Sequence, residues 1–179
     1  MEEELLVLSL SPQPDPYATV VYTLEARKRE GTYEGRLAGD AVIIEGPYGG
    51  FDFGDIAEDQ VWVAGGVGVA PFLARLRMLA NNGGAGGRVH LFYSAHDERD
   101  VAFPEDLETL CRRAGVQLHK RVTAQEGRFS EAEIGQLAGK AGSVWFCGPT
   151  RWGKTLQTVL HRDFGLTAGR FHRELFEFR

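Results

Sequence analysis

Cysteine is scarce in this chain: 179 residues contain two, Cys111 and Cys147. Two thiols cannot build a disulfide framework, a four-cysteine zinc site or a four-cysteine iron–sulfur cluster. A long apolar run is also missing. The uncharged stretch from Val61 to Ala74 carries three glycines and is shorter than the ~20 residues a spanning helix needs. Positive charge is in deficit, with a net charge of −5, which argues against a broad nucleic-acid or anionic-membrane surface. Met1-Glu2-Glu3-Glu4 has neither the basic region nor the apolar core of a secretory leader. The histidines at 90, 96, 119, 161 and 172 show no metal-ligand spacing, and no serine lies in a nucleophile-elbow pattern. What remains is a soluble, reducing-compartment α/β protein, expected in the cytoplasm or at the cytoplasmic face of a membrane. It needs no metal, no nucleic acid and no membrane contact of its own.

What the chain does have is glycine, 23 residues of it, and a change of pattern near residue 55. Before that point, Leu5–Leu10, Tyr17–Ala26 and Ala41–Glu45 read as strands, with no convincing helix. From Gln60 onward strands and helices alternate. Strands are expected at Gln60–Ala64, Arg88–Ser94, Val116–Val122, Ser143–Cys147 and Arg170–Phe176. Helices are expected at Ala70–Asn82, at Pro104–Ala114, after Ser130 and at Thr150–Phe164. Val69, Phe72, Leu73, Leu76 and Leu79 form the apolar stripe of the first helix, with Arg75 and Arg77 outside it. Gly83 to Gly87 stops that helix. Ser130 and Glu133 form a capping box, with Phe129 placed to staple onto Ile134. Such alternation predicts a doubly wound, five-stranded parallel sheet covered on both faces. The expected domains are an all-β unit over 1–55 and the α/β unit over 56–179.

Two motifs carry chemistry. Gly65-Gly66-Val67-Gly68-Val69-Ala70-Pro71 lies between a buried strand and an amphipathic helix. Glycines there let backbone approach a phosphate, and the helix start offers free N–H groups. A tight strand-to-helix turn is the plainer alternative, and Pro71 stands where the usual dinucleotide fingerprint has its third glycine. Cys147-Gly148-Pro149 ends the fourth strand, at the sheet edge where doubly wound folds bind ligands. Its sulfur is expected to point into that cleft, the alternative being a buried small hydrophobe.

Together with Gly46-Pro47-Tyr48-Gly49 and the closing stretch Phe171–Arg179, these motifs stand in an order and spacing that resembles the ferredoxin–NADP reductase superfamily. The ending looks most like the reductase module of its ferric-reductase-like and flavohaemoglobin-like branches. The resemblance implies hydride transfer from NAD(P)H to FAD and onward passage of electrons to a haem, iron–sulfur or ferric acceptor. It implies that Gly65, Gly66, Gly68 and Pro71 hold the dinucleotide phosphates. Cys147, Gly148 and Pro149 would line the nicotinamide pocket, Glu174 would be its acidic residue, and Phe176 the aromatic beside the flavin. Glu174 has a plainer alternative as an ion-pair partner of Arg173 or Arg179. Ser9 falls where the family places its flavin-contacting strand, and Thr32 where a short turn holds the FAD pyrophosphate.

Two departures accompany the resemblance. Nothing between Glu4 and Ser11 is basic, so the arginine of the flavin motif is missing. About three strands precede Gly46, half of a flavin barrel, so the chain is expected to be the C-terminal part of a longer protein with a haem domain or other acceptor upstream. A reduced module is the alternative. Beyond the second strand, Asp97 favours NADH through ribose hydroxyls, whereas Ser94, His96 and Arg99 would favour a 2′-phosphate. Acidic residues tip the reading to NADH. Trp152 stands where relatives often carry methionine, and packing is its expected role. The competing functional class is a nucleotide-binding or partner-docking module that no longer holds FAD.

Overall fold

The computed structural model describes residues 51–54, 58–97 and 104–176. The strands are β1 (Gln60–Gly65), β2 (Val89–Ala95), β3 (Val116–Val122), β4 (Ser143–Pro149) and β5 (Phe171–Phe176). They form one sheet in the order β3-β2-β1-β4-β5, and every neighbouring pair is parallel. The helices are α1 (Ala70–Asn81), α2 (Pro104–Ala114), the single turn α3 (Thr123–Glu126), α4 (Glu131–Ala138) and α5 (Thr150–Phe164). The doubly wound expectation therefore holds. The proposed barrel strands fall outside the described residues.

Alternation along each strand sorts the core into two layers. Trp62, Ala64, Leu91, Tyr93, Trp145 and Cys147 face α1 and α2. Val61, Val63, Phe92, Val144 and Phe146 face α4 and α5. The helices end as the sequence dictates. Gly83 and Gly84 take φ of +92° and +93° just past α1, a conformation only glycine adopts freely. At α4 the Ser130 hydroxyl accepts from the Glu133 N–H while the Glu133 carboxylate accepts from the Ser130 N–H. Phe129 and Ile134 share one core cluster, as a staple requires.

Arg75 departs from its expected place. It is buried, and its guanidinium lies 5.3 Å from the Phe53 ring centroid. Phe51 and Phe53 cover that part of α1, packed edge-on against Phe72 and tilted or edge-on against Trp145. Residues 51–54 thus belong to the packing of the sheet domain. Phe53 itself has φ of +59°, and its carbonyl accepts from Gln60 Nε2 at 2.7 Å.

Candidate functional site

The chain order β1-α1-β2-α2-β3 builds outward on one side of β1, and β4 then returns to its other side. The carboxyl ends of β1 and β4 therefore flank the crevice at which doubly wound sheets take ligands. Both glycine motifs sit there, and the structure explains each glycine separately. A Cβ on Gly68 would lie 2.2 Å from the Cys147 carbonyl oxygen and 2.6 Å from its carbon. A Cβ on Gly65 would lie 2.9 Å from Pro149 Cδ, and one on Gly148 would lie 3.2 Å from the Gly65 nitrogen. These three glycines press the two strand ends together.

Gly66 is different. It has φ of +56°, and nothing lies within 4 Å of the position its Cβ would occupy. It turns the chain out of β1 into a 3-10 turn, Gly66–Val69, which leads directly into α1. Open space over this turn, at the start of a twelve-residue helix, suits an anionic group approaching backbone N–H donors. Gly68 is needed by Cys147, and Gly66 is the one that faces free space.

The remaining expected residues gather along the same edge. Ser94 is the register partner of Gly65 on β2, buried, with its Oγ unpartnered among the described residues. Cys147 pairs in register with Glu174 on β5, and Pro149 with Phe176. The Cys147 side chain is fully buried with Ala64 and Trp145. Burial, and after it the Glu174 carboxylate, push its thiol far above the ordinary range, so it stays protonated and uncharged. Cys111, the other cysteine, is pushed up to about 12 by burial and then by Glu108, as a packing residue of α2 should be. Pro71 is buried in the first turn of α1. Asp97 is half-buried just past β2, and the neighbouring His96 carbonyl accepts from Ala124 at 3.0 Å, tying that loop to α3. Ser9, Thr32 and Arg99 lie outside the described residues.

Trp152, assigned to packing, does pack: its ring meets Phe146 edge-on with centroids 5.3 Å apart. Its six-membered edge also stands 3.3 Å from where a Gly65 Cβ would be. This places it at the glycine crevice, which its position three residues after Gly148-Pro149 alone signals only weakly.

Residues 62–156 match the oxidoreductase NAD-binding domain family. The chain belongs to that family. Among its relatives is the electron transfer component of toluate 1,2-dioxygenase from Pseudomonas putida, 30% identical over 77% of this chain and 43% of that protein. Another is phthalate dioxygenase reductase from Burkholderia cepacia, 30% identical over 77% of this chain and 41% of the relative. The chain thus spans less than half the length of either. The fold is that of the flavohaemoglobin-like FAD/NAD-binding domain of a nitric oxide dioxygenase from Vibrio cholerae, with a TM-score of 0.57, 23% identity, and coverage of 78% of this chain and 55% of that one. A flavohaemoglobin from Malassezia yamatoensis gives a TM-score of 0.59 at 19% identity, over 69% of this chain and 33% of the other. The ferredoxin–NADP reductase-like fold expected from the motifs is therefore the fold of the family member described here. Among the described residues no helix is long and apolar enough to cross a membrane, and no group of three or more metal-ligating side chains occurs.

Proposed function

We propose that this chain is the nicotinamide-dinucleotide module of an electron-transfer flavin reductase, working in the cytoplasm or at the cytoplasmic face of a membrane. The observation that carries the reading is the crevice between β1 and β4. There, backbone is brought to backbone by glycine, and an open left-handed turn precedes α1. When bound, the dinucleotide would supply a hydride and FAD would convert it to single electrons for a haem, iron–sulfur or ferric acceptor.

The chain's own residues bind and orient. The Gly66 turn receives the diphosphate, Gly65 and Gly148 keep the crevice floor free of side chains, and Pro71 fixes the entry into α1. Cys147, buried at the end of β4, keeps the floor beneath the crevice small and uncharged, since a protonated thiol brings no charge to the edge where the nicotinamide would lie. Glu174, one strand over, supplies the negative charge that favours the oxidised, positively charged ring. Phe176, in register with Pro149, is assigned to the flavin side, with Ser9 and Thr32 as FAD contacts. Asp97 and the acidic loop after β2 favour NADH, with Ser94, His96 and Arg99 the residues that a 2′-phosphate would need. The acceptor is a separate protein or a domain of the same polypeptide.

The purified chain supplied with FAD should oxidise NADH using ferricyanide as acceptor. Absence of turnover with both NADH and NADPH, together with absence of binding, would remove the reading. The missing basic residue between Glu4 and Ser11 favours a second reading, a module that binds nucleotide without retaining flavin. Visible absorbance of flavin copurifying with the chain decides against it.

A further inference from the structure

The single turn α3 is unlike the other helices. They bury apolar side chains against the sheet, whereas α3 has no buried residue, and its Ala124, Gln125 and Glu126 are exposed. Four residues are far too few for a helix to be stable by itself. Something other than core packing holds this turn in place, and something other than core packing is its use.

What holds it is a set of bonds at the carboxyl end of β3. The Glu126 carboxylate accepts from the Val122 N–H at 3.2 Å, and the Thr123 carbonyl accepts from the Gly127 N–H at 3.1 Å. The segment that follows is tied to the same strand. The Arg121 guanidinium donates to the Arg128 carbonyl at 3.2 Å and to the Glu133 carboxylate at 3.0 Å, and it lies 4.2 Å from the Phe129 ring centroid. The turn is therefore pinned on both sides.

What it holds is the end of β2. The ladder between β2 and β3 closes at the pair Ala95 and Val122. One residue further on, the His96 carbonyl accepts from the Ala124 N–H at 3.0 Å, and Thr123 Oγ1 lies 3.5 Å from His96 Nδ1. His96 is exposed, so it buries no side chain that could fix the segment instead. α3 thus carries the pairing of the two strands one step past their last ladder pair.

We propose that α3 is a positioning bracket for residues 95–97, and that it sets how tightly this chain binds the adenosine half of a dinucleotide. The inference rests on the dinucleotide reading above, in which Asp97 meets ribose hydroxyls, and it assigns no ligand contact to α3. The turn acts by ordering the Asp97 segment before the ligand arrives, so that binding does not have to order it. Ala124 works through its main-chain N–H, which no side-chain truncation removes.

The test is calorimetric titration of NADH and of ADP-ribose into the parent chain, Ala124→Pro, Glu126→Ala and Glu126→Gln. Proline at 124 deletes the N–H and disfavours the helical backbone of Thr123 before it. It should raise both dissociation constants about tenfold. The two ligands should suffer alike, because they share the adenosine half and ADP-ribose lacks the nicotinamide. Glu126→Ala should raise both about threefold, and Glu126→Gln, whose amide oxygen still accepts from Val122, should return them to the parent values. Melting temperatures should stay within about 4 °C of the parent's, because α3 buries nothing. If Ala124→Pro does not fold, the two Glu126 variants decide. Folded variants that bind both ligands as tightly as the parent, or that lose NADH and keep ADP-ribose, overturn the bracket and leave the dinucleotide reading standing. So does a Glu126→Gln no tighter than Glu126→Ala. A parent chain that binds neither ligand overturns both.

Discussion

The two ends of the sheet are built on opposite plans. At the amino end, the residues immediately before β1, β2, β4 and β5 are Asp59, Arg88, Gly142 and Arg170, and they bond to one another. The Asp59 carboxylate accepts from the Arg88 backbone N–H at 2.7 Å and from its guanidinium at 2.6 and 3.0 Å. The Asp59 carbonyl accepts from Gly142 at 2.6 Å, and the Gly142 carbonyl accepts from Arg170 Nε at 2.6 Å. Just inside this belt, Trp62, Gln60 and the Phe53 carbonyl form a closed relay. At the carboxyl end the strands are held together by glycine contact instead, and two buried polar atoms are left unpaired. One end satisfies its polar groups within the chain, and the other leaves two of them unpaired among the described residues. An α/β sheet can afford this division because its ligands sit at carboxyl ends, leaving the amino ends to stability.

The sharpest way to break the carboxyl end is Gly68→Ala. The new methyl would collide with backbone of Cys147, which cannot rotate away as a side chain could. We expect a loss of about 3 kcal/mol or more. For a domain of this size that is a fall of roughly 6–12 °C in melting temperature, readable by calorimetry. A melting temperature within a degree or two of the parent's would mean that the β1 and β4 ends are not in contact.

The amino end should fail in a different way. Gln60→Leu keeps most of the volume but strands the Trp62 N–H and the Phe53 carbonyl, both buried. The expected cost is about 2 kcal/mol. NADH affinity, measured well below the melting temperature, should not move, because the relay lies at the far end of β1 from the crevice. A parallel loss of affinity would dissolve the distinction between the two ends.

Gly66→Ala separates geometry from crowding. Nothing stands in the way of its Cβ, so the penalty is that of a left-handed backbone alone, about 1 kcal/mol. NADH binding should weaken as well if the turn faces the diphosphate. Unchanged affinity would move the phosphate elsewhere.

Much of this division was legible from sequence because it is written in local signals. The apolar stripe of α1, the capping box of α4, the glycine stop at Gly83 and the two glycine motifs each depend on residues a few positions apart. The topology followed from the alternation of elements. Pairwise facts between distant segments were not legible. Gly68 meets Cys147 across nearly eighty residues, a close approach that the motif itself does not announce. Arg75 belongs by periodicity to the exposed face of α1, and only the arrival of Phe53 buries it. Trp152 reads as packing because an unpaired N–H is a property of the surroundings and leaves no mark in composition.

Just inside the amino end lies a pair of groups that reports on the charges there. His90 on β2 and His119 on β3 are half-buried, with Nδ1 and Nε2 3.1 Å apart, and His119 stacks on Phe92. Burial lowers both, with Arg88 lowering His90 further and Asp59 opposing, while His119 is lowered by burial and then by His90. A histidine depressed in the folded state binds fewer protons there than when unfolded. Stability should therefore be level above the ordinary histidine value of about 6.5 and fall as pH drops from there through the depressed folded values. The effect should be the smallest of the four, because both rings are partly solvated and screened. Its value lies in the perturbation. Asp59→Asn removes the carboxylate that opposes Arg88, so an NMR titration of the His90 ring should shift further down. Gly66→Ala, at the carboxyl end, should leave that titration where it was. An unmoved His90 titration in Asp59→Asn would mean that the amino-end carboxylate does not reach that ring.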